Sequence, residues 1–306
     1  LTNNFIVPSD IIDVSIIIPC KNEVSNLKWT VDSIIKSKNS LSFEIIVVDD
    51  KSEDKSSEFL ESNLSKNIYK RVTLIKTNNV GAAVARNIGA KSAKGKYLFF
   101  CDAHVKVPDK WIDKLVNTLK MCNADLIAPY IADMSNPLLV GCGQTWTKEL
   151  SIQWLLDKLN EGSEIPIACG CTFGITKEAF DKIEGFNNLF QVWGKEDEEL
   201  CFKAWLYGYK IVISSNVIVR HLFRKKHPYT VTKSNVLYNM LCMAYSHFGE
   251  ERLAKTISIA KQNPYFLSAS ERIKKNKELI LDQREKHFKN RIYNDDFFFE
   301  KFNIQF

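Results

Sequence analysis

Three short apolar runs constrain this 306-residue chain more than any other feature: Val14-Ser15-Ile16-Ile17-Ile18, Phe43-Glu44-Ile45-Ile46-Val47-Val48 and Tyr97-Leu98-Phe99-Phe100-Cys101. They are rich in β-branched and aromatic residues and show no alternation with polar ones, as expected of strands buried on both faces. Each stops at residues that carry chemistry: Pro19, Asp49-Asp50 and Asp102-Ala103-His104. Helical patterns fill the gaps over about 24–37, 56–64 (polar) and 81–91 (alanine-rich), with a further strand at 71–76. This β-α-β-α-β-α-β order predicts an α/β fold with a mostly parallel, Rossmann-like sheet between helices. Ligands of such sheets gather at the carboxyl ends of the strands, where these residues fall.

The second half is less regular. Loops rich in Gly, Cys and Pro surround a short helix expected near 148–159. A helix over about 195–206 and a strand over about 210–219 follow. Beyond Pro228 the pattern is helical, so the chain divides into a catalytic-type domain over 1–230 and a helical C-terminal extension over 231–306. Ser268-Ala269-Ser270-Glu271 has the form of a capping box and predicts the start of a long lysine-rich helix. The aromatic tail Phe297-Phe298-Phe299…Phe302 is expected to dock on the body.

Charge and cysteine content narrow the partners. A formal charge of +6 allows attraction to anionic substrates or to a membrane surface and does not indicate nucleic acid. No apolar run approaches the roughly 18 residues needed to span a bilayer, and Leu1-Thr2-Asn3-Asn4 lacks the basic flank and apolar core of a secretory leader. None of the eight cysteines forms a C-x-x-C pair, and several sit inside apolar runs. Buried free thiols in a reducing, cytoplasmic compartment are therefore expected, with peripheral membrane contact compatible with the charge.

Three segments carry the candidate chemistry. Asp102 and His104 would project to the same side of an extended segment, giving a carboxylate and an imidazole able to hold a divalent cation. In Trp193-Gly194-Lys195-Glu196-Asp197-Glu198-Glu199-Leu200, acids fill the first turn of a helix whose dipole favours them. One of the first of these could serve as a general base at a pocket wall. In Val219-Arg220-His221-Leu222-Phe223-Arg224-Lys225-Lys226, His221 supplies a third candidate ligand and the basic run could hold a diphosphate. Asp49-Asp50 could accept hydrogen bonds from a ribose or a base, and Arg86 is placed to neutralise a nucleotide or Asp102.

Ile17-Ile18-Pro19-Cys20-Lys21-Asn22-Glu23, Ile46-Val47-Val48-Asp49-Asp50-Lys51-Ser52 and Gly81…Ala85-Arg86-Asn87…Gly89 resemble the nucleotide-sugar half of family 2 glycosyltransferases with the GT-A fold. Asp102-Ala103-His104, the 193–200 block and His221-Leu222-Phe223-Arg224-Lys225-Lys226…Pro228-Tyr229 are similar to motifs of polypeptide N-acetylgalactosaminyltransferase catalytic domains. The resemblance spans roughly residues 13–250 in consistent order.

The resemblance implies a metal-dependent glycosyltransferase that moves a sugar from a UDP-sugar to a peptide or protein side chain. A saccharide or cell-envelope acceptor, or a non-catalytic nucleotide-sugar-binding module, are the alternatives. Asp102, His104 and His221 would ligate Mn²⁺ (or Mg²⁺). Pro19, Glu23, Asp50, Arg86, Asp102, Gly170, Trp193 and Arg224 would bind the nucleotide sugar, with Glu23 and Asp50 at the uridine. Glu196 would lie beside donor and acceptor, and Asp197 would be the base. Two departures bear on sugar, stereochemistry and acceptor. The Trp-Gly-Gly-Glu-Asn pattern reads Trp193-Gly194-Lys195-Glu196-Asp197, and the Gly-Gly-Leu-Phe loop reads Cys169-Gly170-Cys171-Thr172-Phe173. The exchange of Asn for Asp supplies a base suited to inversion.

Overall fold

The computed structural model describes residues 12–62 and 65–306, so the reading of residues 1–4 and the last part of the helix expected at 56–64 lie outside it. The first half runs β1 (Val14–Cys20), α1 (Asn26–Lys36), β2 (Phe43–Asp49), α2 (Glu58–Glu61), α3 (Ser65–Ile68), β3 (Val72–Lys76), α4 (Ala82–Ser92) and β4 (Tyr97–Cys101). Next come β5 (Val105–Lys106), α5 (Trp111–Met121), β6 (Leu126–Asp133), β7 (Val140–Gly141), β8 (Gln144–Trp146), β9 (Ile152–Trp154) and β10 (Thr172–Thr176). They are followed by α6 (Lys177–Lys182), α7 (Glu196–Leu206) and β11 (Ile211–His221). The C-terminal helices are α8 (Lys233–His247), α9 (Glu250–Lys261), α10 (Phe266–Lys275), α11 (Lys277–Asn290) and α12 (Asp295–Lys301).

The main sheet has the order β3-β2-β1-β4-β10-β6-β11-β5, with β7 on β6. β3, β2, β1 and β4 are parallel, as are β6 and β11, whereas β10 runs antiparallel between β4 and β6. The apolar runs bury both faces. Ile17, Ile46, Val48, Leu98 and Phe100 point into one core, and Ile16, Ile18, Ile45, Val47 and Phe99 into the other. The first core also takes in α7, α8 and the C-terminal aromatics; Phe298 and Phe299 are buried there against Trp146, Phe202 and Phe248, so the tail docks on the body. Pro19 does not end its strand: β1 continues to Cys20, where β2 alone pairs with it and a missing N–H costs little.

The sheet cannot be flat. β4 and β5 lie four strand spacings apart in the order, about 19 Å in a flat sheet, yet only residues 102–104 join them, a reach of at most about 14 Å. A bulge between Ser214 and Ile218 bends β11 so that its end meets β5.

Several expectations change. No helix forms at 148–159: this stretch makes a turn and then β9, with Trp154 packed over Gly141, where a Cβ would meet the indole at 2.1 Å. β6 and β10 form in the region read as irregular. Ser268 lies inside α10 rather than at its cap, and the lysine-rich helix breaks at Asn276. The capping box is instead Thr232 with Asn235, at the start of α8. Among the described residues, no helix is long and apolar enough to cross a membrane.

Candidate active site

The ends of β1, β2 and β4, the first turn of α7 and the segment after β11 surround a cavity of about 1040 Å³. Pro19, Asp50, Asp102, Gly170, Trp193 and Arg224 all lie on its walls, as do Glu196 and Asp197. Its size suits a ligand of nucleotide dimensions.

Asp102-Ala103-His104 forms a turn, not an extended segment, yet its two polar side chains still converge. Topology adds the third: β5 leaves this turn and pairs with β11, setting His221 opposite Val105. One ligand atom from each of Asp102, His104 and His221 lies within 4.8 Å of the others. His221 Nε2 is 3.4 Å and His104 Nε2 3.8 Å from Asp102 Oδ2. Both ring nitrogens of His221 are buried without a hydrogen-bond partner. Burial lowers the His221 pKa against the opposing pull of Asp102, favouring the neutral ring that a cation requires. Burial also disfavours ionised Asp102, but His221, His104 and Arg86 outweigh it and hold this carboxyl well below the usual range. A carboxylate with two imidazoles, one carrying unpartnered nitrogens, fits a divalent first-row cation.

Glu23 and Arg224, both assigned by resemblance to the nucleotide sugar, converge on His104. Glu23 forms an ion pair with Arg224 and sits 3.3 Å from His104 Nδ1, while Arg224 Nη2 is 2.6 Å from the same nitrogen. Arginine has only donors, so Nδ1 accepts from Arg224 here, and Glu23 holds that guanidinium against the imidazole. Asp50 lines the cavity, but its carboxylate accepts from Thr77 Oγ1 (2.8 Å), Val80 N (2.7 Å) and Gly81 N (2.9 Å), fixing the loop before α4. Gly81, at φ 87°, has Val192 N at 3.0 Å from where a Cβ would stand, so this approach admits only glycine.

Arg86, 3% exposed, joins the acids to the candidate cation ligands. Its Nη1 is 3.1 Å from Glu196 Oε1 and its Nη2 is 3.2 Å from Asp102 Oδ1. Burial, aided by the charge of Asp197 and opposed by Arg86, pushes the Glu196 carboxyl up to about 7. Gly194 N–H holds its other oxygen at 2.6 Å. Asp197 is the less buried of the two; Gly170 N–H donates to its Oδ2 at 2.7 Å. Trp193 is 39% exposed and packs at a tilt against His227, with ring centres 4.4 Å apart.

Sequence reasoning missed the support under this turn. Lys195 Nζ bonds Leu150 O (2.7 Å) and Glu198 Oε2 (2.8 Å), and Trp146 Nε1 donates to the same carboxylate. The single base within an acidic block was the available signal. Glu199, His247 and His287 also approach within 4.8 Å of one another. Lys203 Nζ lies 3.1 Å from Glu199 Oε1, however, and its charge repels a cation there. That group is a buried polar clamp between α7, α8 and α11.

A family model described as glycosyl transferase family 2 matches residues 15–184, more than half of the sequence. The chain belongs to glycosyl transferase family 2. A model of the N-terminal domain of galactosyltransferase matches residues 152–229, the stretch that contributes α7 and His221 to the cavity. Relatives of this family 2 chain include polypeptide N-acetylgalactosaminyltransferase 4 of Caenorhabditis elegans. It is 30% identical over 235 residues, covering 71% of the chain and 39% of that protein. Polypeptide N-acetylgalactosaminyltransferase 11 of Xenopus tropicalis is 31% identical over 243 residues, covering 72% and 40%. The chain thus spans about two fifths of the length of these relatives. The structure of GalNAc-T7 with UDP, GalNAc and Mn²⁺ matches with a TM-score of 0.74 at 22% identity, over 96% of this chain and 57% of that one. S. aureus TarS 1-349 in complex with UDP-GlcNAc matches at 0.60 and 16% identity, over 91% and 89%. The likeness establishes the GT-A fold.

Proposed function

We propose that this chain transfers a sugar from a UDP-sugar to a peptide or protein side chain, with Mn²⁺ (or Mg²⁺) held by Asp102, His104 and His221. The observation that carries the reading is the convergence of these ligands beside Arg86, Glu196 and Asp197 in one cavity at the strand ends. When bound, the cation would supply charge stabilisation to a diphosphate leaving group. Arg86 holds Glu196 and Asp102 in fixed relation, and Arg224, paired with Glu23, orients His104. Asp197, pinned on one oxygen by Gly170 N–H, retains lone pairs to accept the proton of an acceptor hydroxyl or thiol. The peptide acceptor is supported by the relatives named as polypeptide transferases.

The test is UDP release from a panel of UDP-sugars with and without Mn²⁺, with EDTA as control and peptides or saccharides as acceptors. EDTA-sensitive release from one donor, increased by a peptide, is the expected result. Stimulation by saccharides alone would move the acceptor to a glycan. Tight UDP binding without turnover on any donor would leave a nucleotide-sugar-binding module.

A further inference from the structure

Cys169 and Cys171 flank Gly170 on the cavity wall, and their sulfurs are 3.3 Å apart. The proposed reaction uses neither. Both are largely buried, at 9% and 4% exposure, yet both face the cavity, which gives a small reagent access. The sulfurs need close only about 1 Å to reach a disulfide bond length of about 2.0 Å. The backbone that carries them also holds the site's two key carboxylate-bearing residues. Asp102 N–H donates to Cys171 O at 2.9 Å, and Gly170 N–H donates to Asp197 Oδ2 at 2.7 Å. A Cβ at Gly170 would stand 2.7–2.9 Å from the Asp197 side chain, so there is no slack between this arc and the carboxylate.

We propose that Cys169-Gly170-Cys171 is a reversible disulfide-forming modification site in the active cavity, oxidised by a small disulfide such as glutathione disulfide. Cys169, at 9% exposure against 4% for Cys171, is the more accessible sulfur and makes the first attack. The Cys169 thiolate attacks glutathione disulfide, forming a mixed disulfide and releasing one glutathione. The Cys171 sulfur then displaces the second glutathione, closing the Cys169–Cys171 bond. The two cysteine protons finish on the two glutathione thiols. The pair loses two electrons and glutathione disulfide gains them. Drawing the arc together shifts Gly170 N–H and with it Asp197. Resting on the transferase reading, this predicts a loss of turnover of about 10²-fold, the scale of a misplacement of about 1 Å.

The experiment uses a Cys122→Ser background, because Cys122 is the partly exposed cysteine and the other seven are buried. The protein is incubated with glutathione disulfide, digested and mapped by mass. The expected result is a loss of two hydrogens in the peptide containing Cys169 and Cys171, reversed by dithiothreitol. Cys171→Ser should retain a glutathione adduct on Cys169, and Cys169→Ser should leave this peptide unmodified. An unchanged peptide in the folded protein, or a bridge from either sulfur to another cysteine, overturns the proposal. UDP release is followed in parallel. If the reduced protein releases no UDP from any donor, the transferase reading fails while the mass map still decides the disulfide. If the bridge forms and release is unchanged, the modification site stands and its coupling to Asp197 falls.

Discussion

The backbone N–H of Leu222 donates to the carbonyl of His104 at 3.1 Å, latching the chain that leaves β11 onto the turn that leaves β4. This bond and the short β5–β11 pairing bring the two histidines to a ring separation of 4.7 Å. Replacing either should dismantle the proposed cation site without disturbing the sheet. His104→Ala and His221→Ala are each expected to abolish Mn²⁺-dependent UDP binding by calorimetry while the far-UV circular dichroism is retained. Parental affinity for UDP with Mn²⁺ in both variants would sink the metal assignment.

Asp197→Asn keeps an oxygen for Gly170 N–H and removes the base. UDP binding should be unchanged, with turnover reduced by about 10²–10⁴. Near-parental turnover, measured as UDP release with acceptor present, would rule Asp197 out.

Gly170→Ala probes the same contact from the other side. The new Cβ would fall within 2.7–2.9 Å of Oδ2, Cβ and Cγ of Asp197, so the carboxylate must move. Turnover should fall by about 10²-fold with cation-dependent UDP binding retained. Loss of binding and turnover together would show instead that the loop positions the nucleotide.

Glu196 makes stability depend on pH. Its carboxyl is raised from 4.5 to about 7 in the folded chain, chiefly by burial. It therefore binds a proton more tightly folded than unfolded. Its contribution is complete below about pH 4.5 and is lost as pH rises through about 7, amounting to about 3 kcal/mol. Urea denaturation of the parent and Glu196→Gln between about pH 4.5 and 7.5 should show the parent losing stability relative to the variant. Parallel pH profiles would refute the shift.

Much of this was legible in the sequence because parallel strands advertise themselves. The runs ending at Asp50 and Asp102 had to be buried on both faces, so their polar ends had to meet at one edge of the sheet. The part that stayed hidden depends on contacts made across the fold. Lys195, Glu198 and Trp146 form one group only after β8 lies against α7, and no local pattern announces that. At 148–159 the cross-strand packing of Trp154 on Gly141 overrode a helical pattern. In the C-terminal region, Asn276 bonds Tyr238 OH (3.0 Å) and Arg272 O (3.2 Å), and this tertiary tie accompanies a break that helix propensity does not anticipate. Asp50 lines the cavity, but the loop that fills its carboxylate could not be seen beforehand.

The proposed cation ligands come from two parts of the chain far apart in sequence; Arg224, just beyond His221, is 120 positions from His104, which it touches. A nascent chain growing from its N-terminus exposes Asp102 and His104 long before His221 exists. Long-range contacts of this kind form late, after local elements have assembled. Strong cation capture should therefore mark a nearly finished fold, making metal retention a reporter of complete folding and sparing half-made chains from trapping ions.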